Sequence, residues 1–403
     1  MKILHCSDLH LGRRPVGSPD SLYSKERYND FFRIFEYVIN QALEKEINIF
    51  VISGDFFDKK DINPKNLEDA QKLLKKLVDK NIKILLIEGN HDRTFFEEKS
   101  WVSYFDSFEN IYYLDSVKRS DDSYEFTPTE IDGINFYGIN YYGSNTDEIL
   151  TLLAEKLNTE NNFIITHTSI GNGTDFIPGL VSSGVLDLFK NKVLYIAGGH
   201  IHSKKTYPVA NPFFFVPGSL EYWDLAEIGE KGYFVFDSES KEVEYFSVLD
   251  KIRRKVQLNY DIKEKFLRDF ESNLFAKLEN EEIPKRCIYI LNLYVELHDF
   301  TVDTKKIEDF LTEKGVLKAA VYVKRRGEVY RIDDYSDLSE DEIIGSIIEN
   351  SEEWFKYRKR KNETLNSIKR LKNYQQSNNQ KQFIEELDSL FEKILGDDKN
   401  DNQ

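Results

Sequence analysis

The residues of this chain that could do chemistry are few and grouped. There are seven histidines in 403 residues. Four of them sit in short strings that also carry aspartate, asparagine or glycine, and a fifth, His167, stands alone after an apolar run. "SDLH" holds Asp8 and His10, "GNHD" holds Asn90, His91 and Asp92, a lone His167 follows "FIIT", and "GGHIH" holds His200 and His202. A further string, "GDFFD", carries Asp55 and Asp58. Imidazole, carboxylate and amide oxygen are ligands for divalent cations. The set is too large for one tetrahedral zinc site. It suits two ions about 3.5–4 Å apart, the arrangement that hydrolyses phosphate esters. No thiolate belongs to the set, because Cys6 lies inside an apolar run. The mixed donors favour Mn²⁺ or a similar six-coordinate ion over copper or iron–sulfur chemistry. In D-x-H and H-x-H, residues i and i+2 of an extended chain point the same way, so two ligands reach one ion from one strand end. Glycines 54, 89, 198 and 199 let the backbone turn sharply beside them.

Each string follows an apolar run that reads as a strand: 2–6, 47–53, 82–87, 162–166 and 193–197. Between the first two, Phe32, Phe35, Val38, Ile39, Ala42 and Leu43 recur at helical spacing. Between the second and third, Leu67, Ala70, Leu74 and Leu77 do the same, with Pro64 near the start. Strands alternating with helices imply βαβ units and a largely buried sheet. In such sheets ligands sit beyond the carboxyl ends of the strands, which is where all five strings fall. His5, inside a strand, and His298, in "YVELHDF", are read as structural.

Composition sets the outer limits. Hydrophobic residues make up 40% and charged residues 31%, as in a globular chain. No stretch approaches the roughly 18–20 apolar residues of a membrane span, and "MKILHCSDLH" does not read as a signal peptide. Two cysteines in apolar runs form no disulfide framework and fit a reducing cytosol, so a cytoplasmic location without membrane attachment is expected. The net charge of −16 argues against a nucleic-acid partner when taken alone. There is no Gly-Lys dipeptide, hence no Walker A motif, and any ATP dependence would come from another protein.

Taken in order, Asp8-x-His10, Gly54-Asp55-x-x-Asp58, Gly89-Asn90-His91-Asp92, His167 and Gly199-His200-x-His202 resemble the calcineurin-like metallophosphoesterases. "MKILHCSDLHLGRR" and "PGSLEYWDLAE" (217–227) resemble, more narrowly, the SbcD-type DNA exonuclease subunits of SbcC–SbcD complexes, over residues 1 to about 250. The resemblance implies an α/β fold: a two-layered β-sandwich core flanked by helices, a small α/β cap domain and C-terminal helices. It implies a nuclease domain over 1–250, a DNA-binding cap over 256–335 and a helical segment over 338–403 that binds an SbcC-type coiled-coil ATPase. It assigns one Mn²⁺ to Asp8, His10, Asp55 and His202, and a second to Asp55, Asn90, His167 and His200. His91 is left to protonate the leaving oxygen or steady the transition state. Asp92 has two readings: it holds the His91 ring, or it caps a following helix. Asp58 stands where some relatives carry a histidine, so no role transfers to it beyond support.

The implied activity is Mn²⁺-dependent hydrolysis of DNA phosphodiesters in double-strand-break repair, as a duplex-end 3′–5′ exonuclease and single-strand endonuclease. The alternative is a phosphatase or phosphodiesterase for a small-molecule or protein substrate. A homodimer is implied through helices near 65–80 and 93–106, though the apolar content of the second is equally that of core. "DKIRRK" (250–255) reads as a polar, basic hinge. After it come a helix at about 262–280, a strand at 286–297, a helix at about 303–314 and a strand at 318–326. Lys324, Arg325 and Arg326 are candidates for phosphate contacts or a solvated strand end. The 355–372 stretch is basic, and 380–395 carries Phe383, Ile384, Leu387, Leu390, Phe391, Ile394 and Leu395 on one stripe. That stripe either folds back on its own domain or docks on a partner, and the resemblance favours docking.

Overall fold

The computed structural model describes residues 1–15, 21–94, 99–120, 123–171, 177–262, 269–295, 301–325, 361–376, 382–387 and 389. The chain opens on β1 (Lys2–Cys6), then α1 (Leu22–Glu44), β2 (Ile49–Ser53), α2 (Pro64–Val78), β3 (Lys83–Ile87) and β4 (Ile111–Tyr113). It then builds β5 (Thr129–Ile131), β6 (Ile134–Ile139), α3 (Thr146–Lys156), β7 (Asn162–Thr166), α4 (Ser183–Asp187), β8 (Tyr195–Ala197), β9 (Lys205–Tyr207) and β10 (Phe214–Val216). The hairpin β11 (Gly232–Asp237) and β12 (Val243–Ser247) returns to the first sheet. The first sheet runs β12-β11-β1-β2-β3-β4 and the second β9-β10-β8-β7-β6-β5. β1, β2, β3 and β4 run parallel to one another, as do β6, β7, β8 and β10, while β11, β5 and β9 pair antiparallel with β1, β6 and β10. The carboxyl ends of β1, β2, β3, β7 and β8 carry the ligand strings.

Two six-stranded sheets can stack only if each offers an apolar face to the other. Ile3, Ile49, Val51, Leu85 and Ile87 from the first sheet meet Phe136, Phe163, Ile165, Tyr195 and Phe215 from the second in one buried cluster. The central strands are therefore apolar on both faces. Ile49–Ser53 is buried at every position, because the outer face of its sheet packs on α1 and α2 through Phe35, Val38, Ile39, Ala70, Leu74 and Leu77. Each of these Phe, Val, Ile and Leu side chains, fully buried, contributes about 1.5–3 kcal/mol. Local chemistry starts both helices. Ser21 caps α1 by accepting the Ser24 N–H at 3.1 Å, and Asn63 caps α2 by accepting the Asn66 N–H at 2.9 Å, with proline at the first position. On the outer face of the second sheet, Ile149, Leu150 and Leu153 of α3 pack on Ile164, Ile196 and Phe214. The α/β sandwich flanked by helices expected from the resemblance is the observed core.

Beyond the core, β13 (Lys255–Ile262), α5 (Phe270–Asn280), β14 (Ile288–Val295), α6 (Thr304–Glu313) and β15 (Lys318–Arg325) form a parallel three-stranded sheet with its own apolar cluster. The "DKIRRK" segment, read from the sequence as a polar, basic hinge, is anchored rather than free. Arg253 is 8% exposed. Its guanidinium donates to both oxygens of Asp30 on α1 and to Glu26, and to the Arg286 carbonyl just before β14. Arg27 and Arg33 pair with the same aspartate. The basic residue is a rivet between α1 and the start of β14, because one buried carboxylate gathers three guanidinium groups.

The expected helix near 93–106 also differs. Among the described residues that stretch holds one 3₁₀ turn, Ser103–Ser107. Ser100 closes that turn by accepting the Ser103 N–H and taking the Ser103 hydroxyl on its carbonyl. Residues 174–178 and 328–403 belong to a second unit. Its described part includes α7 (Lys361–Gln376) and a bidentate pair between Arg370 and Glu386. Arg326, His298, Leu390, Phe391, Ile394 and Leu395 lie outside the described residues, as does most of the 338–403 segment assigned to a partner.

Candidate metal centre

The loops after β1 and β2 are zipped together before any ligand is placed. The N–H groups of Asp8, His10 and Leu11 donate to the carbonyls of Gly54, Asp55 and Phe56 at 3.1, 3.0 and 2.9 Å. This pairing requires backbone conformations that side-chain-bearing residues rarely adopt. Asp8, His10, Asp55 and His200 have φ of 52°, 45°, 50° and 75°. Four non-glycine residues in the left-handed region mark stored strain at a functional site. The alternation of an extended chain therefore does not explain the D-x-H spacing; the two left-handed residues do. Gly54, at φ +90°, has no room for a Cβ, which would collide with the His167 ring at Nδ1.

Two groups of donors converge. In the first, Nε2 of His10 and Nε2 of His202 lie 3.0 Å apart, and Nε2 of His202 lies 3.8 Å from Oδ1 of Asp8. In the second, Oδ1 of Asn90 lies 3.1 Å from Nε2 of His167 and 2.9 Å from Nδ1 of His200. Asp55 stands between them. Its Oδ2 is 3.7 Å from Nε2 of His10 and 3.3 Å from Nε2 of His167, while its Oδ1 accepts the His91 N–H at 2.9 Å. Asp8, His10, Asp55 and His167 form a buried floor, and Asn90, His91, His200 and His202 are the partly exposed mouth.

The donors fit divalent cations. Two imidazole nitrogens 3.0 Å apart must share a proton or a cation, and two ligands about 2.1 Å from one ion at right angles are about 3 Å apart. Oδ2 of Asp8 is buried with no hydrogen-bond partner in the structure. The charges also call for a cation. Burial pushes the Asp8 carboxyl up. Burial alone would do the same to Asp55, but His167, His10 and His91 around it hold it well below the usual range. Burial would lower His167, yet the Asp55 carboxylate brings it up to about 9. The carboxylates draw positive charge from the histidines, and a divalent cation supplies that charge directly.

All nine residues singled out in the sequence lie in this cluster, but one pairing differs from expectation. The His91 ring is held by a backbone group: Nδ1–H donates to the Asp58 carbonyl at 2.7 Å. Asp92 does not touch it. Its carboxylate accepts the N–H groups of Phe56, Phe57 and Gly89 at 3.0, 2.8 and 3.0 Å. It ties the β2 loop to the β3 loop, and no described helix begins after it. His91 also comes within reach of His10 and Asp55, their ligand atoms lying within 4.8 Å of one another. Asp58 is a support: its Oδ1 accepts the Trp223 indole N–H at 3.0 Å.

Sequence reading gave no role to three groups, two of them inside the quoted 217–227 motif. The Ser53 carbonyl accepts Nδ1–H of His167 at 2.8 Å, and a backbone acceptor leaves no sequence signal. Trp223 packs beside His10, His91 and His202 with ring centroids 6.0–6.1 Å away, and the Arg13 guanidinium stacks on it at 3.6 Å. Glu227 accepts Nδ1–H of His202. Burial would raise its carboxyl, but the His202 hydrogen bond and the Lys231 charge bring it down to about 2.

The family profile Calcineurin-like phosphoesterase matches residues 1–204. The DNA double-strand break repair protein Mre11 of Aeropyrum pernix is 25% identical over 244 residues, 57% of this chain and 56% of that protein. The DNA double-strand break repair protein Mre11 of Methanococcus maripaludis is 25% identical over 314 residues, 74% of this chain and 80% of that protein. The chain thus spans little more than half of the first relative, 56% of its length. Among solved structures, TT1561 of Thermus thermophilus is similar with a TM-score of 0.38 and 13% identity, over 61% of this chain and 98% of that one.

Proposed function

The chain belongs to the calcineurin-like phosphoesterase family, and on that premise we propose that it is a Mn²⁺-dependent DNA nuclease of double-strand-break processing. The observation that carries the reading is Oδ2 of Asp55, set between a histidine of each donor group. Asp8, His10, Asp55 and His202 would hold one ion, and Asp55, Asn90, His167 and His200 the other. Such ions supply Lewis-acid charge and lower the pKa of water.

The remaining work falls to the protein. His91 has its Nδ1–H committed to the Asp58 carbonyl, so Nε2 is the nitrogen left for the substrate. In the protonated ring Nε2–H donates to the departing sugar oxygen. Asp92 acts at one remove, by locking the β2 and β3 loops that carry Asp55 and His91. The two relatives bear the name of DNA double-strand break repair proteins, which supports DNA as the substrate. The narrower SbcD-type assignment rests on the motifs at 1–14 and 217–227. With it come duplex-end exonuclease and single-strand endonuclease action, a homodimer, an SbcC-type ATPase bound through 338–403 and a cytoplasmic location. No described helix is long and apolar enough to cross a membrane.

The test is cleavage of end-labelled linear duplex DNA by the purified chain with Mn²⁺, Mg²⁺ or chelator. Mn²⁺-dependent shortening is expected, with His91→Ala slower by about 10²–10⁴-fold and still binding Mn²⁺ by calorimetry. Intact DNA alongside a hydrolysed aryl phosphodiester, with the ATPase present, would move the assignment to a small-molecule or protein phosphoesterase. Deleting 355–403 should abolish ATPase binding and spare cleavage. Retained binding refutes that part.

A further inference from the structure

We propose that Glu227 is a positioning residue that holds His202 and so sets the affinity of one metal position, that of Asp8, His10 and His202. The inference rests on the two-metal reading above and concerns a residue that reading does not require. Nδ1–H of His202 donates to Oε1 of Glu227. The acceptors behind His167 and His91 are neutral backbone carbonyls, those of Ser53 and Asp58. A carboxylate is the stronger acceptor. It fixes the tautomer and raises the electron density of the opposite nitrogen. That nitrogen, Nε2, faces His10 at 3.0 Å and Asp8 at 3.8 Å.

Glu227 is itself held. Its Oε2 accepts the Trp223 N–H at 2.9 Å and the Lys231 ammonium at 2.8 Å. Lys231 is 1% exposed. Its other donors go to the His202 carbonyl at 3.0 Å and the Ser219 hydroxyl at 2.7 Å. All three ammonium N–H groups are therefore used, and one ion pair grips His202 at both ring and backbone. A buried ion pair adds little to stability, because desolvation offsets the attraction. Orientation of the metal ligand accounts for this one. The same loop is tied to β13, where the Lys255 ammonium donates to the Glu227 carbonyl.

The experiment is calorimetric titration of Mn²⁺ into the full chain and into Glu227→Gln, Glu227→Asp and Asn90→Ala, each below its melting midpoint. Glu227→Gln keeps the side-chain size and removes the charge. It should weaken one of two binding events by about 10–100-fold and leave the other unchanged. Glu227→Asp, which keeps the charge, should recover part of the loss. Asn90→Ala should weaken the other event, and Glu227→Gln combined with Asn90→Ala should weaken both. Glu227→Gln isotherms identical to the unaltered chain overturn the inference, as do two events weakened equally, or Asp and Gln variants that bind alike. If the unaltered chain takes up no Mn²⁺, the two-metal reading falls and this inference with it.

Discussion

His5 shows what one buried imidazole does when it is not a ligand. It is 1% exposed, with Nδ1 2.9 Å from the Tyr195 hydroxyl and Nε2 2.8 Å from the Ser53 hydroxyl. It thus braces Ser53, whose carbonyl orients His167. Burial lowers the His5 pKa from 6.5 to about 3, against an opposing hydrogen bond to the Gly198 carbonyl. The folded chain therefore binds this proton less readily than the unfolded chain. The stability that neutral His5 provides is full above pH 6.5 and is lost as pH falls towards 3, by about 1.4 kcal/mol per unit. Between pH 7 and pH 5 the urea midpoint of the unaltered chain should fall further than that of His5→Gln. Parallel losses in the two proteins would show that His5 protonates in the fold.

At the scale of elements, the site depends on how closely three loops approach. Gly54 and Gly89 lie at the crossing, and a Cβ on Gly54 would come 2.9 Å from the Gly89 nitrogen as well as against His167. Gly54→Ala should lower stability by at least about 1–2 kcal/mol from its left-handed backbone alone, and should weaken Mn²⁺ at the His167 position. Unchanged Mn²⁺ affinity in the folded variant contradicts this account of the crossing. The strand ends were legible because β1, β2, β3, β7 and β8 are largely apolar on both faces and reach a glycine or a ligand within two residues of their ends. The strands β5, β9 and β10 were not: like β8 they are three residues long, but no ligand string follows them to mark their ends. Glu227 stands in the 217–227 motif, but its role was not legible because its partner His202 lies 25 positions away. The buried place of Arg253 in the segment read as a polar hinge was not legible, because charged residues are usually exposed and its partner Asp30 is 223 positions away.

The whole molecule carries a net charge of −16, which sets the terms on which it meets a polyanion. Cations bound among Asp8, Asp55 and the histidines would make the mouth of the site locally positive on an acidic body. Arg13, stacked on Trp223 at 3.6 Å, lies beside that mouth. If the proposed nuclease reading holds, the isolated chain should therefore bind DNA weakly and with steep salt dependence. Its proposed chemistry turns on Asp55 serving two ions at once. The direct measurement is the number of Mn²⁺ ions retained per chain by equilibrium dialysis, for the unaltered protein, Asp55→Asn and His10→Ala. Two ions in the unaltered chain, both weakened in Asp55→Asn but only one in His10→Ala, is the predicted result. A single ion in the unaltered chain, or an Asp55→Asn variant that keeps both, would contradict it.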